Sequence, residues 1–380
     1  MWASAGLIVW TQAGYAAALA LTARLLPRRG ARVAAAAPGA QEQLPTLSLI
    51  IAAHDEQSVI AAKVQNALAL DYPRERLEVI VSCDGCSDET AARAREAGAD
   101  LVLELARGGK IRAQDAAVAR ARGEVVAFSD ANSLWEAGAA RELVGAFADP
   151  GVGYACGSVR FVQAATGAAA GNQEGVYWAY ELAVRALESR LSSITAGNGA
   201  IYATRREAYI VVDPIMGHDL SLPFNMVKRG RRAVYVPGAR ATEKMVPSLT
   251  GEFARKRRMM SHTWPILVRG GMLSPRGYTP GYALMILSHR VLRYTSPALH
   301  LILLAANIAL VAQGAGALYI VTLALQLLLL AAAALAGAVR LRPLLIARYY
   351  VLTTASPAAG LWDWLRHGTS ASWEAAEGTR

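Results

Sequence analysis

Residues 77–90 read LEVIVSCDGCSDET, and the fold turns on how this stretch is understood. Its first half, LEVIVSC (77–83), is rich in β-branched residues. Its second half sets an Asp-Gly between two cysteines. As a thiol pair, Cys83 and Cys86 would bind a metal or cycle between oxidation states. As a strand that ends in an aspartate, they are bystanders. A structural zinc site takes about four ligands, and the chain has no second close Cys or His pair; its third cysteine is Cys156. A redox Cys-x-x-Cys sits at a helix start, without an Asp-Gly at its centre. The strand reading is therefore adopted, with Asp84 at the strand end.

Working outward, LSLIIAA (47–53) is a continuous apolar run, the pattern of a strand buried on both faces. Residues 57–70 read as a helix, AARAREAG (91–98) as a second helix stopped by glycine, and LVLEL (101–105) as a third strand. KIRAQDAAVARARG (110–123) reads as a helix and EVVAFSD (124–130) as a fourth strand. Alternation of strand and helix at roughly 30 residues per unit predicts parallel strands with right-handed crossovers. Ligands of such sheets bind at the carboxyl ends of the strands. Beyond residue 150 the alternation loosens: VGYACGSVRFV (152–162) and AVYVPGA (233–239) read as strands, and EGVYWAYELAVRALESRL (174–191) as a helix. GNGAIYATRREAY (197–209) reads as a glycine turn, a short strand and a helix start.

Three of these strand ends carry acids: AAHDE, CDGCSD and SDANS. No G-x-G-x-x-G follows the first strand and no P-loop is present. An Asp-rich rim without a glycine cradle points to a ligand whose phosphates are held through a metal.

Seven motifs in order give this pattern a family. IIAAHDEQ, CDGCSDET, GGKIRAQDAAVARARGE and FSDANS resemble the nucleotide-binding half of the family 2 glycosyltransferases, and GNGAIYATRR, GHDLSLP and EFARKRRMM resemble the acceptor-side motifs of membrane-bound members. The resemblance covers about 47–265. It implies a GT-A fold, an α/β Rossmann-like mixed sheet, with residues 47–150 as nucleotide-binding half and 151–245 as acceptor half. It implies a nucleotide-sugar donor, a UDP-sugar first, and Mg2+ or Mn2+ as cofactor. Ala53, Asp55 and Glu56 would lie beside the nucleotide, and Asp84 would bond the base or ribose. Asp130 would coordinate the metal, with Asn132 where many relatives carry a second aspartate. An amide oxygen ligates a hard cation but brings no charge, so the metal's identity stays open. Asp219 would be the general base that deprotonates an acceptor hydroxyl, with His218 replacing the acid that usually precedes it. Arg255 and Arg258, spaced to share a helical face, would stabilise the leaving diphosphate; Met259 follows where the family has Trp.

Several positions keep two readings. Lys110 reaches the diphosphate or base, or is a solvated helix-start lysine. Asp219 is catalytic, or an N-cap. Gly197, Asn198 and Gly199 line the acceptor side by close backbone approach, or only form a tight turn. Trp264 stacks on a sugar, or anchors a helix at a membrane interface.

Composition sets the surroundings. Hydrophobic residues make up 54% of the 380 residues and charged ones 18%, with net charge +10. Absent a nucleic-acid motif, the basic excess is assigned to a lipid surface. Three cysteines cannot build a disulfide framework, which fits a reducing compartment. An apolar run at 5–26 followed by PRRGAR predicts an uncleaved anchor within 1–30, a buried helix being the alternative. A linker follows at 31–46. TGEFARKRRMMSHTW (250–264), within a region 246–290, reads as an amphipathic helix lying in the membrane interface, or as an ordinary surface helix. A transmembrane hairpin is expected within 291–340, at 295–313 and 317–338. Arg290, Arg293, Arg340 and Arg342 flank it on the cytoplasmic side. Within 341–380, the stretch 343–366 is broken by SPAAG and is expected to be re-entrant or interfacial.

The expectation is a multi-pass enzyme of the cytoplasmic membrane, its catalytic domain in the cytoplasm. It would transfer sugar with inversion to a lipid-linked or glycan acceptor, with membrane lipids as further partners and no nucleic acid. The alternatives are a non-catalytic membrane assembly or export component with a degenerate domain, which His218 and Asn132 favour, and a nucleotidyltransferase, which AAHDEQS disfavours for want of a glycine-rich basic loop.

Overall fold

The computed structural model describes residues 1–26, 44–162, 168–244, 249–339 and 341–371. Most of the expected linker, the PRRGAR flank, Arg340 and the tail beyond 371 lie outside the described residues.

A helix α1 (Trp2–Leu25) precedes the sheet domain. There follow β1 (Leu47–Ala53), α2 (Ile60–Leu68), β2 (Leu77–Asp84), α3 (Thr90–Glu96), β3 (Leu101–Leu105), α4 (Lys110–Val118) and β4 (Val125–Asp130). β5 (Leu134–Trp135), α5 (Ala139–Gly145), β6 (Val152–Val162), α6 (Ala168–Leu191), β7 (Tyr202–Arg205), α7 (His218–Lys228) and β8 (Arg232–Lys244) complete the domain. All join one sheet in the order β3-β2-β1-β4-β7-β6-β8-β5.

β1 and β2 are buried along their whole length, as central strands covered on both faces must be. Alternate side chains feed two apolar layers. Leu49, Ile51, Val79 and Val81 pack on one face, and Ile50, Ile80, Val126 and Phe128 on the other, following the two-residue period of a strand. Each such side chain stabilises the fold by about 1.5–3 kcal/mol. β1 pairs in parallel with β2 and with β4, so the crevice at their carboxyl ends is a topological switch point. β7 then runs antiparallel to both β4 and β6, and β8 parallel to β6. The sheet is mixed, its first half parallel.

The remaining helices are α8 (Leu249–Val268), α9 (Pro280–Tyr294), α10 (Ser296–Ala312), α11 (Ala317–Leu335) and α12 (Arg342–His367). Among the described residues, α1 and α11 are long and apolar enough to cross a membrane, and α9 with α10, bent by 64°, passes if taken as one span.

Two expectations need correction. SPAAG does not interrupt the last segment, because α12 continues through Pro357. The helix is held against α8. Trp264 Nε1 donates to the Pro357 carbonyl at 2.9 Å, and Arg257 makes a two-pronged ion pair with Asp363 at 2.6 Å on each arm. Nor do Arg290 and Arg293 stand as open flanking charges. Arg290 is buried and its Nε donates to Thr195 Oγ1 at 2.8 Å, and Arg293 pairs with Glu181. His289 bridges Glu181 and Glu188 in the same network, and Tyr15 of α1 donates to Glu188 at 2.7 Å. These side chains join α1 and α9 to α6.

Candidate active site

The loops after β1 and β2 are stitched together by the acids and hydroxyls in their sequences. Asp55 adopts a left-handed backbone, φ 51°, which Asp tolerates better than most residues. Its Oδ1 accepts from the Ser87 amide at 2.8 Å. That bond, helped by His54, holds its carboxyl below the usual range. The Glu56 amide donates to Thr90 Oγ1 at 2.8 Å, and Glu56 is itself buried. Cys86 Sγ lies 3.5 Å from the carbonyl of Ala53, which ends β1. His54, Asp55 and Cys86 each bring one ligand atom within 4.8 Å of the others.

Asp84 is buried and its carboxylate draws in the next loop: Oδ1 accepts from the Gly108 amide at 2.6 Å and the Gly109 amide at 3.0 Å. Gly85 has φ 62°, and a Cβ there would collide with the backbone of Arg107. The Asp-Gly pair is thus required by the close passage of loop 107–109. In this way Asp84 sets the start of α4 and aims Lys110.

Lys110 forms an ion pair with Asp130, the last residue of β4. Burial works against its charge, but the charge and hydrogen bond of Asp130, with the charges of Asp219 and Glu243, together outweigh it, so Lys110 titrates above the usual lysine range. Asp219 stands in the first turn of α7. Burial raises its carboxyl above the usual range; Lys110 opposes that rise and Asp130 adds to it. A Cβ on Gly199 would come within 3.4 Å of Lys110 Nζ and 3.8 Å of Asp130 Oδ2, so this glycine borders the cluster. Arg255 reaches it from α8, where its charge acts on Glu243.

His218 turns away from the cleft into an aromatic layer, its Nδ1 2.8 Å from Tyr202 Oη and its Nε2 3.3 Å from Tyr209 Oη. Burial first, then Lys110, lowers its pKa to about 3, so it is neutral. Asn198 spends its side chain on the turn, donating to the Gly157 carbonyl at 2.6 Å and accepting from the Ile201 amide at 2.9 Å. Gly197 donates its amide to the Asp219 carbonyl at 2.7 Å, and a Cβ there would strike the Tyr154 hydroxyl. Trp264 is packed under α12 rather than open to a sugar. Arg258 lies on α8, its carbonyl accepting from Ser261 Oγ at 2.7 Å. Asn132 follows β4, half-buried.

One carboxylate was not anticipated. β8 runs on to Lys244, and its penultimate residue, Glu243, faces the cluster. Burial pushes its pKa up to about 7, Asp130 pushes the same way, and Lys110 and Arg255 oppose. Acids at strand ends mark the rest of this rim, so the same rule would have found Glu243 had the strand's end been read at 244 instead of 239. Lys63 of α2 is wholly buried, 5.2 Å from the Trp135 ring centre, and the charges of Asp130 and Glu243 act on it.

Hard divalent cations take oxygen ligands. Asp130 would supply them here, and the buried oxygens Glu243 Oε1 and Ser133 Oγ make no hydrogen bond. This donor set fits Mg2+ or Mn2+.

Comparison with known proteins agrees with this architecture. Residues 45–261 match the sequence profile of Glycosyltransferase like family 2. A mannosyltransferase from Pyrobaculum calidifontis, solved with GDP-Man and Mn2+, superposes over 96% of this chain and 98% of its own, with TM-score 0.72 and 23% identity. The shared fold is GT-A. "Probable glycosyltransferase YdaM" of Bacillus subtilis is 32% identical over 133 residues, 33% of this chain and 32% of that protein. A Beta-monoglucosyldiacylglycerol synthase of Trichormus variabilis is 35% identical over 100 residues, 24% of this chain and 21% of that protein. The matched stretches thus span a third or less of these curated relatives.

Proposed function

The chain belongs to glycosyltransferase family 2, and we propose that it moves a sugar, with inversion, from a nucleoside-diphosphate sugar to a lipid-linked or glycan acceptor at the cytoplasmic face of a membrane. The observation that carries the chemistry is the convergence of Asp130, Lys110 and Asp219 at the carboxyl rim of the sheet.

The acceptor hydroxyl attacks the anomeric carbon as the bond to the diphosphate oxygen breaks. The electron pair leaves on that oxygen, and the hydroxyl proton passes to Asp219. A base must be deprotonated to act, and a carboxyl raised by burial holds a captured proton better than an exposed aspartate. Lys110 and Arg255 supply positive charge where the leaving group gains negative charge. A divalent cation held by Asp130 would add Lewis acidity at the diphosphate. Asp84 acts through the Gly108 and Gly109 amides, fixing the loop from which Lys110 projects.

Support for acceptor delivery at a bilayer comes from the apolar helices α1 and α11, and from the basic residues of α8, which packs against α12 through Arg257 and Trp264. The test is a donor panel. The full chain in lipid nanodiscs is incubated with UDP-, GDP- and dTDP-sugars plus Mn2+, and nucleoside-diphosphate release is measured with and without chelator. Turnover of one donor that chelation abolishes is expected. Absence of binding and turnover across the panel would refute the proposal.

A further inference from the structure

Three buried polar atoms beside Asp130 have no hydrogen-bond partner. They are Glu243 Oε1, Ser133 Oγ and Lys63 Nζ. Ser133 and Lys63 are fully buried. They come from three separate elements: Lys63 from α2, Ser133 from the loop between β4 and β5, Glu243 from the end of β8. A buried donor or acceptor left unpaired is costly, and three together describe a space shaped for something else.

The chemistry of that space is specific. Ser133 Oγ stands near Glu243 without reaching hydrogen-bond geometry. Asp130 and Glu243 are two carboxylates whose charges act on each other within this pocket. Two hard oxygen anions with a hydroxyl between elements suit a divalent cation. They do not suit a bare anion, which both carboxylates would repel. Position 132, by contrast, offers only a neutral amide.

Resting on the functional reading above, we propose that Glu243 is a ligand of the divalent cation, adding a carboxylate to that of Asp130 and supplying the negative charge that Asn132 does not. The end of β8 thereby joins the donor site, so both halves of the sheet hold the cation. Ser133 Oγ adds a neutral oxygen to the site, and Lys63 balances the charge of the two acids when the cation leaves.

The test reads metal binding directly. Mn2+ is titrated into the full chain in nanodiscs, with UDP and separately with GDP, and free Mn2+ is followed by its electron paramagnetic resonance signal. Glu243→Gln should weaken Mn2+ binding by at least about tenfold, the lower end of losses seen for groups that merely orient metal ligands. Nucleotide binding without metal should be unchanged. Glu243→Asp, which keeps the charge but draws it back by one methylene, should fall between and serves if the glutamine variant fails to fold. Wild-type Mn2+ affinity in both variants overturns the inference. A wild-type chain that binds nucleotide but no Mn2+ overturns the metal assignment as well. A chain that binds neither overturns the functional reading beneath it.

Discussion

At the residue scale, types and spacing announced the acids of the cleft, whereas their partners came only from the fold. Asp84, Asp130 and Asp219 each stand where a strand or helix terminus would put them. That Asp84 spends its carboxylate on two loop amides could not be read from CDGCSD, because those amides lie at 108 and 109 and arrive through the third strand. His218 is the instructive miss. Its neighbour in sequence faces the cleft, but one step along a helix turns a side chain by about 100°, and here that step leads into the Phe128, Tyr202 and Tyr209 layer. Its burial has a measurable consequence. An ordinary histidine titrates near 6.5, and His218 is held at about 3 in the fold. Between these values the unfolded chain binds a proton that the folded chain refuses, so stability is lost as pH falls through that window. The effect is on the order of 4 kcal/mol. Melting temperature recorded from pH 7 to pH 4 should drop more steeply for the wild type than for His218→Asn, which keeps hydrogen-bonding capacity without the titration. Parallel curves would contradict this account of the residue.

At the element scale, β1, β3 and β6 begin and end where the apolar runs do; for β1, buried on both faces, that unbroken run is what its position requires. β5 is only two residues long, too short to carry any period. AVYVPGA marks β8 only as far as 239, because the RATEK that follows is too polar to carry an apolar run, while the strand continues to Lys244. The α8–α12 pairing was invisible, since it depends on where two distant helices cross. Gly360 marks the crossing: a Cβ there would lie 2.5 Å from Met260 Cβ and 2.8 Å from the Arg257 carbonyl. Gly360→Val should therefore cost about 1–3 kcal/mol through overpacking, seen as a lower melting temperature. Asp363→Asn removes only a partly exposed ion pair and should cost less than about 1 kcal/mol. Equal melting of Gly360→Val and the wild type would mean the helices do not cross there.

At the scale of the whole molecule, the chain places a GT-A domain against a collar of apolar helices, and the two are packed into one body. Tyr15 and Leu19 of α1 share a buried cluster with Phe224 of α7 and Trp264 of α8. Trp10 Nε1 donates to Ser288 Oγ of α9 at 3.0 Å. Thr195, just ahead of the Gly197 turn, is held by Glu188 and Arg290. The Gly197 turn thus rests on the same polar network that ties α1 and α9 to α6, which composition alone does not reveal.

The central claim is that this single rim carries out sugar transfer with Asp219 as its base. The most direct measurement compares the wild type with Asp219→Asn, as full chains in nanodiscs supplied with the donor the wild type turns over. The account predicts unchanged affinity for the donor with Mn2+ and a transfer rate lower by on the order of 10²–10⁴-fold. Transfer by Asp219→Asn at the wild-type rate would contradict it.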